Sequence, residues 1–216
     1  MATILRDFSY RYQWFYDSIS RLAALSVGGE QRFRQLALQN LTIQSTTPVL
    51  DLCCGSGQTT RFLVERSHQV TGLDASPRSI QRAQQNVPQA NFVEAFAEAM
   101  PFPDQTFDLV HTSVALHEME ANQLQQILGE VYRVLRPGGD FALLDFHPTT
   151  NLLFRPGLYL FLQLFETETA WEFLRTDLVQ VLQLVGFELG QQRLYAGGSL
   201  QVIQVKKTAS GRRSPT

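Results

Sequence analysis

The densest run of chemically capable residues is VLDLCCGSGQTT at 49–60, where an apolar stretch ends at Leu52 and a loop carrying Gly55 and Gly57 follows. At such a turn the backbone passes close to a ligand, and only glycine leaves room and accepts positive φ. A lone G-x-G would mean no more than an ordinary strand-to-helix turn. The next apolar stretch, VTGL, ends in Asp74, 17 residues beyond Gly57. An acid at the tip of a second strand can hold a ribose diol by two hydrogen bonds to one carboxylate. Asp51 sets a further carboxylate beside the glycine loop.

A dinucleotide fingerprint needs a third glycine, G-x-G-x-x-G, so that helix and strand pack tightly beside a pyrophosphate. Here that position is Thr60. S-adenosylmethionine (SAM) has no phosphate, and its aminoacyl end can be met by backbone groups of the loop and by Asp51. The residues favour SAM over NAD. His117, in VALHEM, follows the fourth apolar stretch. It has two readings: a general base taking a proton from a phenolic or enolic hydroxyl, or a loop histidine that only shapes the pocket. Glu118 reads as solvated, His147 as a second candidate base with a structural role favoured, and His68 and His111 as structural.

The elements that must position these residues alternate along the chain. Residues 48–53, 69–73, 91–94, 107–112 and 139–145 are short, mostly apolar and bounded by Gly, Pro, Asp or Ser, as strands are. Over 120–135, Leu124, Ile127, Leu128, Val131, Val134 and Leu135 fall on one helical face, and Arg136-Pro137-Gly138-Gly139 stops it. Ser76-Pro77 starts another helix, with serine as N-cap and proline at its first position. Repetition of strand and helix implies a parallel sheet covered by helices on both faces. Residues 8–41 are expected to hold two helices broken near Val27-Gly28-Gly29, and 147–170 an insertion. A helix over 176–185 and a closing antiparallel pair, 187–194 and 199–205, complete a single domain over 1–206, with a disordered basic tail after it.

Composition narrows the class. Eighteen Lys plus Arg against twenty Asp plus Glu give a net charge of −2, without the basic footprint of a nucleic-acid binder. At 44% hydrophobic and 18% charged, 216 residues can bury a full core. No apolar run approaches the roughly 20 residues of a membrane span, and MATILRDFSYRYQWF lacks the pattern of a signal peptide. Cys53 and Cys54 are adjacent and cannot bridge distant parts of the chain. With four scattered histidines and no CxxC pair, no metal site is expected. The expectation is a cytoplasmic protein with, at most, peripheral membrane contact.

From about 48 to 145 the chain resembles the class I SAM-dependent methyltransferases. DLCCGSG matches their first motif, LDAS the ribose-binding acid, EAMPFPDQTFDLV the stretch around the fourth strand and VLRPGGDFALLD the fifth. The resemblance implies a Rossmann-like α/β fold, a mostly parallel sheet with a C-terminal antiparallel strand, N-terminal helices and a helical lid. It also implies SAM as cofactor. Carried over, Gly55 and Gly57 line the cofactor's backbone, Asp74 holds the ribose and Thr60 lies near the aminoacyl portion. Ala97 brackets the adenine, and Ser113 faces the cofactor. Where the family often has Asp or Asn to bind the adenine amino group, this chain has Phe96. That ring either packs against the adenine or tucks into the core.

A finer resemblance is to the UbiE-type ubiquinone/menaquinone-biosynthesis C-methyltransferases, carried by WFYDSISRLAALSVGGEQRFRQLAL (14–38), EAMPFPDQTFD (98–108) and LVGFE (184–188). Glu30 stands where they have a histidine, Phe33 where they have a tryptophan, and His117-Glu118 where they carry Arg-Asn. The acceptor implied is small and apolar or aromatic, with C-methylation of a prenyl-quinol as one case and O- or N-methylation of another small molecule as the alternative. The apolar segment 152–165 would then serve as a lid accepting a lipophilic substrate. Two rival classes are a SAM-binding interaction domain without catalysis and an NAD-linked oxidoreductase, the latter opposed by Thr60. Nucleobase methylation is opposed by HTSVALHE, which lacks an Asn/Asp-Pro-Pro-aromatic run.

Overall fold

The computed structural model describes residues 24, 26–149, 151, 156, 159, 163 and 168–208. Most of the first expected helix, most of the lid segment and the tail beyond 208 lie outside the described residues. Seven strands form one sheet: β1 (Val49–Leu52), β2 (Val70–Asp74), β3 (Asn91–Glu94), β4 (Phe107–Ser113), β5 (Leu135–Phe146), β6 (Phe187–Tyr195) and β7 (Leu200–Lys207). Their spatial order is β3-β2-β1-β4-β5-β7-β6. β1 to β5 pair in parallel, and β7 lies antiparallel between β5 and β6. This is the expected Rossmann-like arrangement.

Local chemistry explains where the helices begin and stop. α1 (Glu30–Gln35) follows Gly28 and Gly29, whose φ values of 93° and 104° break the chain where the sequence predicts a break. α2 (Thr60–Val64) leaves the glycine loop. α3 (Pro77–Asn86) is capped by Ser76, whose side chain accepts from the Ser79 N–H at 3.2 Å. α4 (Ala121–Val134) buries Leu124, Ile127, Leu128, Val131 and Val134, the face read from the sequence. α5 (Glu168–Phe173) packs near the turn after β4. α6 (Leu178–Val185) is capped by Asp177 and closed by left-handed Gly186.

Two apolar layers sandwich the sheet. One joins Leu50, Val110 and Phe141 to α4 and α6; the other joins Val49, Leu109, Ala142 and Leu144 to Phe33, Leu36 and Leu38. Burying one such side chain stabilises the fold by about 1.5–3 kcal/mol. β5 departs from expectation by starting four residues before 139, because Leu135 pairs with Phe107 ahead of a register shift. Gly139 permits the irregularity: a Cβ there would meet the Arg136 carbonyl oxygen at 2.9 Å and that of Asp108 at 3.0 Å.

Candidate functional site

The strand order reverses direction between β1 and β4, and loops leaving two such strands part to open a crevice at their carboxyl ends. A cavity of about 690 Å³ lies there. One wall is the end of β1 and the loop after it, with Asp51, Cys53, Gly55 and Ser56; a second is the tip of β2 and the start of α3, with Asp74, Ser79 and Arg82. The third is the tip of β4 and the turn after it, with Ser113, Val114, Glu118 and Met119. Two non-glycine residues hold left-handed backbone at its edge, Cys53 and Val114, both with φ 54°. For β-branched Val114 this is costly, and such strain persists only where surrounding bonds enforce it.

Asp74 organises the first two walls. Its Oδ2 accepts from the Gly55 N–H at 2.9 Å and its Oδ1 from the Ser76 N–H at 2.9 Å. The carboxylate is thus oriented at the cavity edge, and each oxygen keeps a lone pair for a further donor. Gly57 does not border the cavity. It packs on α3, where a Cβ would come within 3.1 Å of Val87 Cγ2 and 3.6 Å of Ala83. Asn86 Nδ2 donates to the Ser56 carbonyl at 2.9 Å and ties the same loop to that helix.

Asp51 is 2% exposed and reaches the cavity from below. Thr60 Oγ1 donates to its Oδ2 at 2.6 Å, and His111 Nδ1 lies 2.8 Å from its Oδ1. Thr60 is fully buried, so it acts on Asp51 and does not itself touch the cavity.

The turn after β4 hangs from one buried carboxylate. Asp145 Oδ2 accepts from the N–H groups of Leu116 at 2.9 Å and Ala115 at 3.3 Å. Its Oδ1 accepts from the Phe146 N–H at 2.8 Å and meets His117 Nδ1 at 2.7 Å. His117 is 1% exposed, lies against the Phe146 ring at 4.4 Å and the Phe173 ring at 6.4 Å between centroids, and is not among the residues bordering the cavity. Glu118, expected to be solvated, is half-buried and borders it instead. His147 Nδ1 bonds the Gly198 carbonyl at 2.9 Å, a structural contact.

Neither of the two residues expected at the adenine borders the cavity. Ala97 is buried in the layer beneath α4, and Phe96 is 64% exposed, packed neither in the core nor on the cavity wall. The loop carrying them is fixed from α4: Glu130 accepts from the Met100 N–H at 2.8 Å, and Arg133 donates to the carbonyls of Met100 and Phe102. The hydrogen bond from Arg133 holds the Glu130 carboxyl below its usual range. Burial first, and neighbouring carboxylates second, push the thiols of Cys53 and Cys54 up, so neither supplies a thiolate at neutral pH. Sequence reasoning missed Asp145, whose signal was an acid at the tip of a strand, equivalent to Asp74. It also missed the pairing of His111 with Asp51.

The family model described as a methyltransferase domain matches residues 49–139. An uncharacterized methyltransferase of Synechocystis sp. is 57% identical over 206 residues, covering 95% of this chain and 97% of its own. The chain belongs to the S-adenosylmethionine-dependent methyltransferases. The 2-phytyl-1,4-naphtoquinone methyltransferase of Thermosynechococcus vestitus is 38% identical to this methyltransferase over 136 residues, 60% of each chain. Among solved structures, a SAM-dependent methyltransferase of Methanosarcina mazei has the same fold, with a TM-score of 0.62 at 22% identity over 78% of this chain and 96% of its own.

The cofactor of this methyltransferase is SAM, and the residues present fit it. The cavity falls in the size range of small-molecule sites, about 300–1,000 Å³. Ser113 Oγ, on its wall, is buried without a hydrogen-bond partner, as a group awaiting a ligand would be. Asp74 offers paired acceptors, and Asp51 offers a buried negative charge to a cofactor that carries positive charge. Among the described residues, no helix of the methyltransferase is long and apolar enough to cross a membrane.

Proposed function

We propose that the protein methylates a small, lipophilic, aromatic acceptor, with a ring carbon of a prenyl-quinol as the preferred target. The observation that carries this reading is the likeness to a 2-phytyl-1,4-naphtoquinone methyltransferase, which covers 60% of this chain. SAM supplies an activated methyl group, so the protein's main task is alignment, which contributes up to roughly 7–11 kcal/mol in model reactions. In this reading Asp74 holds the ribose, the backbone at Gly55 and the hydroxyl of Ser113 contact the cofactor, and Asp51 meets its aminoacyl end. Gly57 and Thr60 act one layer back, by packing the loop and orienting Asp51. Ala97 and Phe96 sit on the loop beyond β3, beside the expected adenine end.

His117 takes the pocket-shaping role. Its burial against Phe146 and Phe173 and its bond to Asp145 support a part in holding the turn after β4. The pair His117-Glu118, in place of the Arg-Asn of the quinol enzymes, favours a second reading: O- or N-methylation of another small molecule. We place the enzyme in the cytoplasm, meeting a lipid-borne acceptor at a membrane surface.

The test incubates the protein with methyl-labelled SAM and a reduced, demethylated prenyl-naphthoquinol in detergent. Label on the quinol ring carbon supports the first reading. Label only on hydroxyl or amine acceptors of a small-molecule extract supports the second. No transfer to any acceptor, with SAM bound, would leave a binding domain without catalysis.

A further inference from the structure

His111 reads from the sequence as a structural histidine, yet its surroundings give it a more specific task. It is fully buried on β4, opposite Asp51 in the β1–β4 register. A carboxylate only accepts hydrogen bonds, so the 2.8 Å contact requires the proton on His111 Nδ1. His111 Nε2 is buried and has no hydrogen-bond partner. The ring therefore makes one side-chain hydrogen bond among the described residues, and it goes to Asp51.

The other oxygen of Asp51 receives the Thr60 hydroxyl, a second donor. Among the described residues no lysine or arginine pairs with Asp51; its one ion-pair contact is the His111 ring. Two donors, one on each oxygen, fix the plane of the carboxylate. A buried carboxylate left so is unfavourable until a cation arrives. It borders the cavity, and the cation that fits is the ammonium of the cofactor's amino-acid end.

We propose that His111 is a positioning residue for the cofactor: by holding Asp51 in place through its Nδ1, it sets the affinity for the amino-acid end of SAM. This rests on the cavity being the SAM site. It adds a selectivity element on β4, behind the wall, which no contact with the cofactor would reveal.

The experiment measures binding of S-adenosylhomocysteine and of 5′-methylthioadenosine, which lacks the amino-acid end, by calorimetry on the full chain. His111→Leu removes the donor. It should weaken S-adenosylhomocysteine about 10-fold or more and change 5′-methylthioadenosine by less than about 2-fold. His111→Asn, whose amide reaches the position of Nδ1, should restore S-adenosylhomocysteine binding to within about 3-fold of the parent. The Michaelis constant for SAM should follow the same order, with turnover at saturation little changed. In a Asp51→Asn background, His111→Leu should cost nothing further.

If His111→Leu does not fold, His111→Gln replaces it, since its longer side chain carries the amide past Asp51. Equal loss of both ligands, or S-adenosylhomocysteine bound as tightly as in the parent, would overturn the proposal. Asp74→Ala separates the two levels. Unchanged binding in that variant means the cofactor site is misplaced, whereas loss there with no effect at His111 sinks only the role of His111.

Discussion

Replacing Asp145 by alanine tests whether one buried carboxylate holds the cavity's third wall. The side chain is fully buried and receives the N–H groups of Ala115, Leu116 and Phe146 together with His117 Nδ1. Alanine leaves all four without an acceptor. The buried ones, at Leu116, Phe146 and His117, each cost about 1–3 kcal/mol when unsatisfied. Relaxation of the turn recovers part of this, so the expected loss is about 3–5 kcal/mol, the range for removing one partner of a buried pair. For a domain of this size each kcal/mol moves the midpoint by roughly 2–4 °C, giving a drop of about 6–20 °C.

Asparagine should lose less. Its oxygen still accepts from Leu116 and Ala115, although its amide nitrogen then faces the Phe146 N–H and that part of the loss remains. The assay is a thermal melt of parent, Asp145→Ala and Asp145→Asn without ligand, followed by calorimetry with S-adenosylhomocysteine. Affinity should fall in Asp145→Ala because Val114, Ala115 and Glu118, which border the cavity, stand on the released turn. A melting point within about 2 °C of the parent, with unchanged affinity, would refute the assignment of Asp145 as the anchor.

Asp74→Ala removes the acceptor for two backbone N–H groups and the proposed ribose contact, so S-adenosylhomocysteine should bind about 10- to 100-fold more weakly; parental affinity by calorimetry would contradict this. Glu130 is held below the usual carboxylate range by Arg133, so its charged form favours the folded state. That stabilisation is present above the unfolded carboxylate range and is lost as pH falls through the folded value. Glu130→Gln should therefore be less stable than the parent by about 1 kcal/mol at neutral pH, with the gap closing in acid. Melting curves that stay equally separated across the titration would count against it.

The alternation of strands and helices was legible because each element is written in local code. Ser76-Pro77 caps α3, the apolar face of α4 repeats at helical spacing, and Gly28-Gly29 breaks the N-terminal segment. The cavity-bearing end was legible for a related reason: Asp74 and Ser113 sit at strand tips and Gly55 just beyond one, and strand order alone brings parallel strand tips together. The start of β5 was not legible, since Arg136-Pro137-Gly138-Gly139 carries stop signals and pairs only because β4 lies beside it.

What the sequence by itself determined was the sheet, its helices and the glycine loop after β1, since propensity, capping and glycine conformation act over a few residues. What only the tertiary structure decided was the division of labour among the polar side chains. Gly57 and Thr60 stand behind the cavity, and Phe96 turns to solvent. Of the two histidines after the glycine loop that meet carboxylates, His117 meets Asp145, 28 residues away, and His111 meets Asp51, 60 residues away. Hydrogen bonds of that range depend on strand register and loop direction, which arise when the whole sheet assembles and leave no mark in the spacing of residues along the chain.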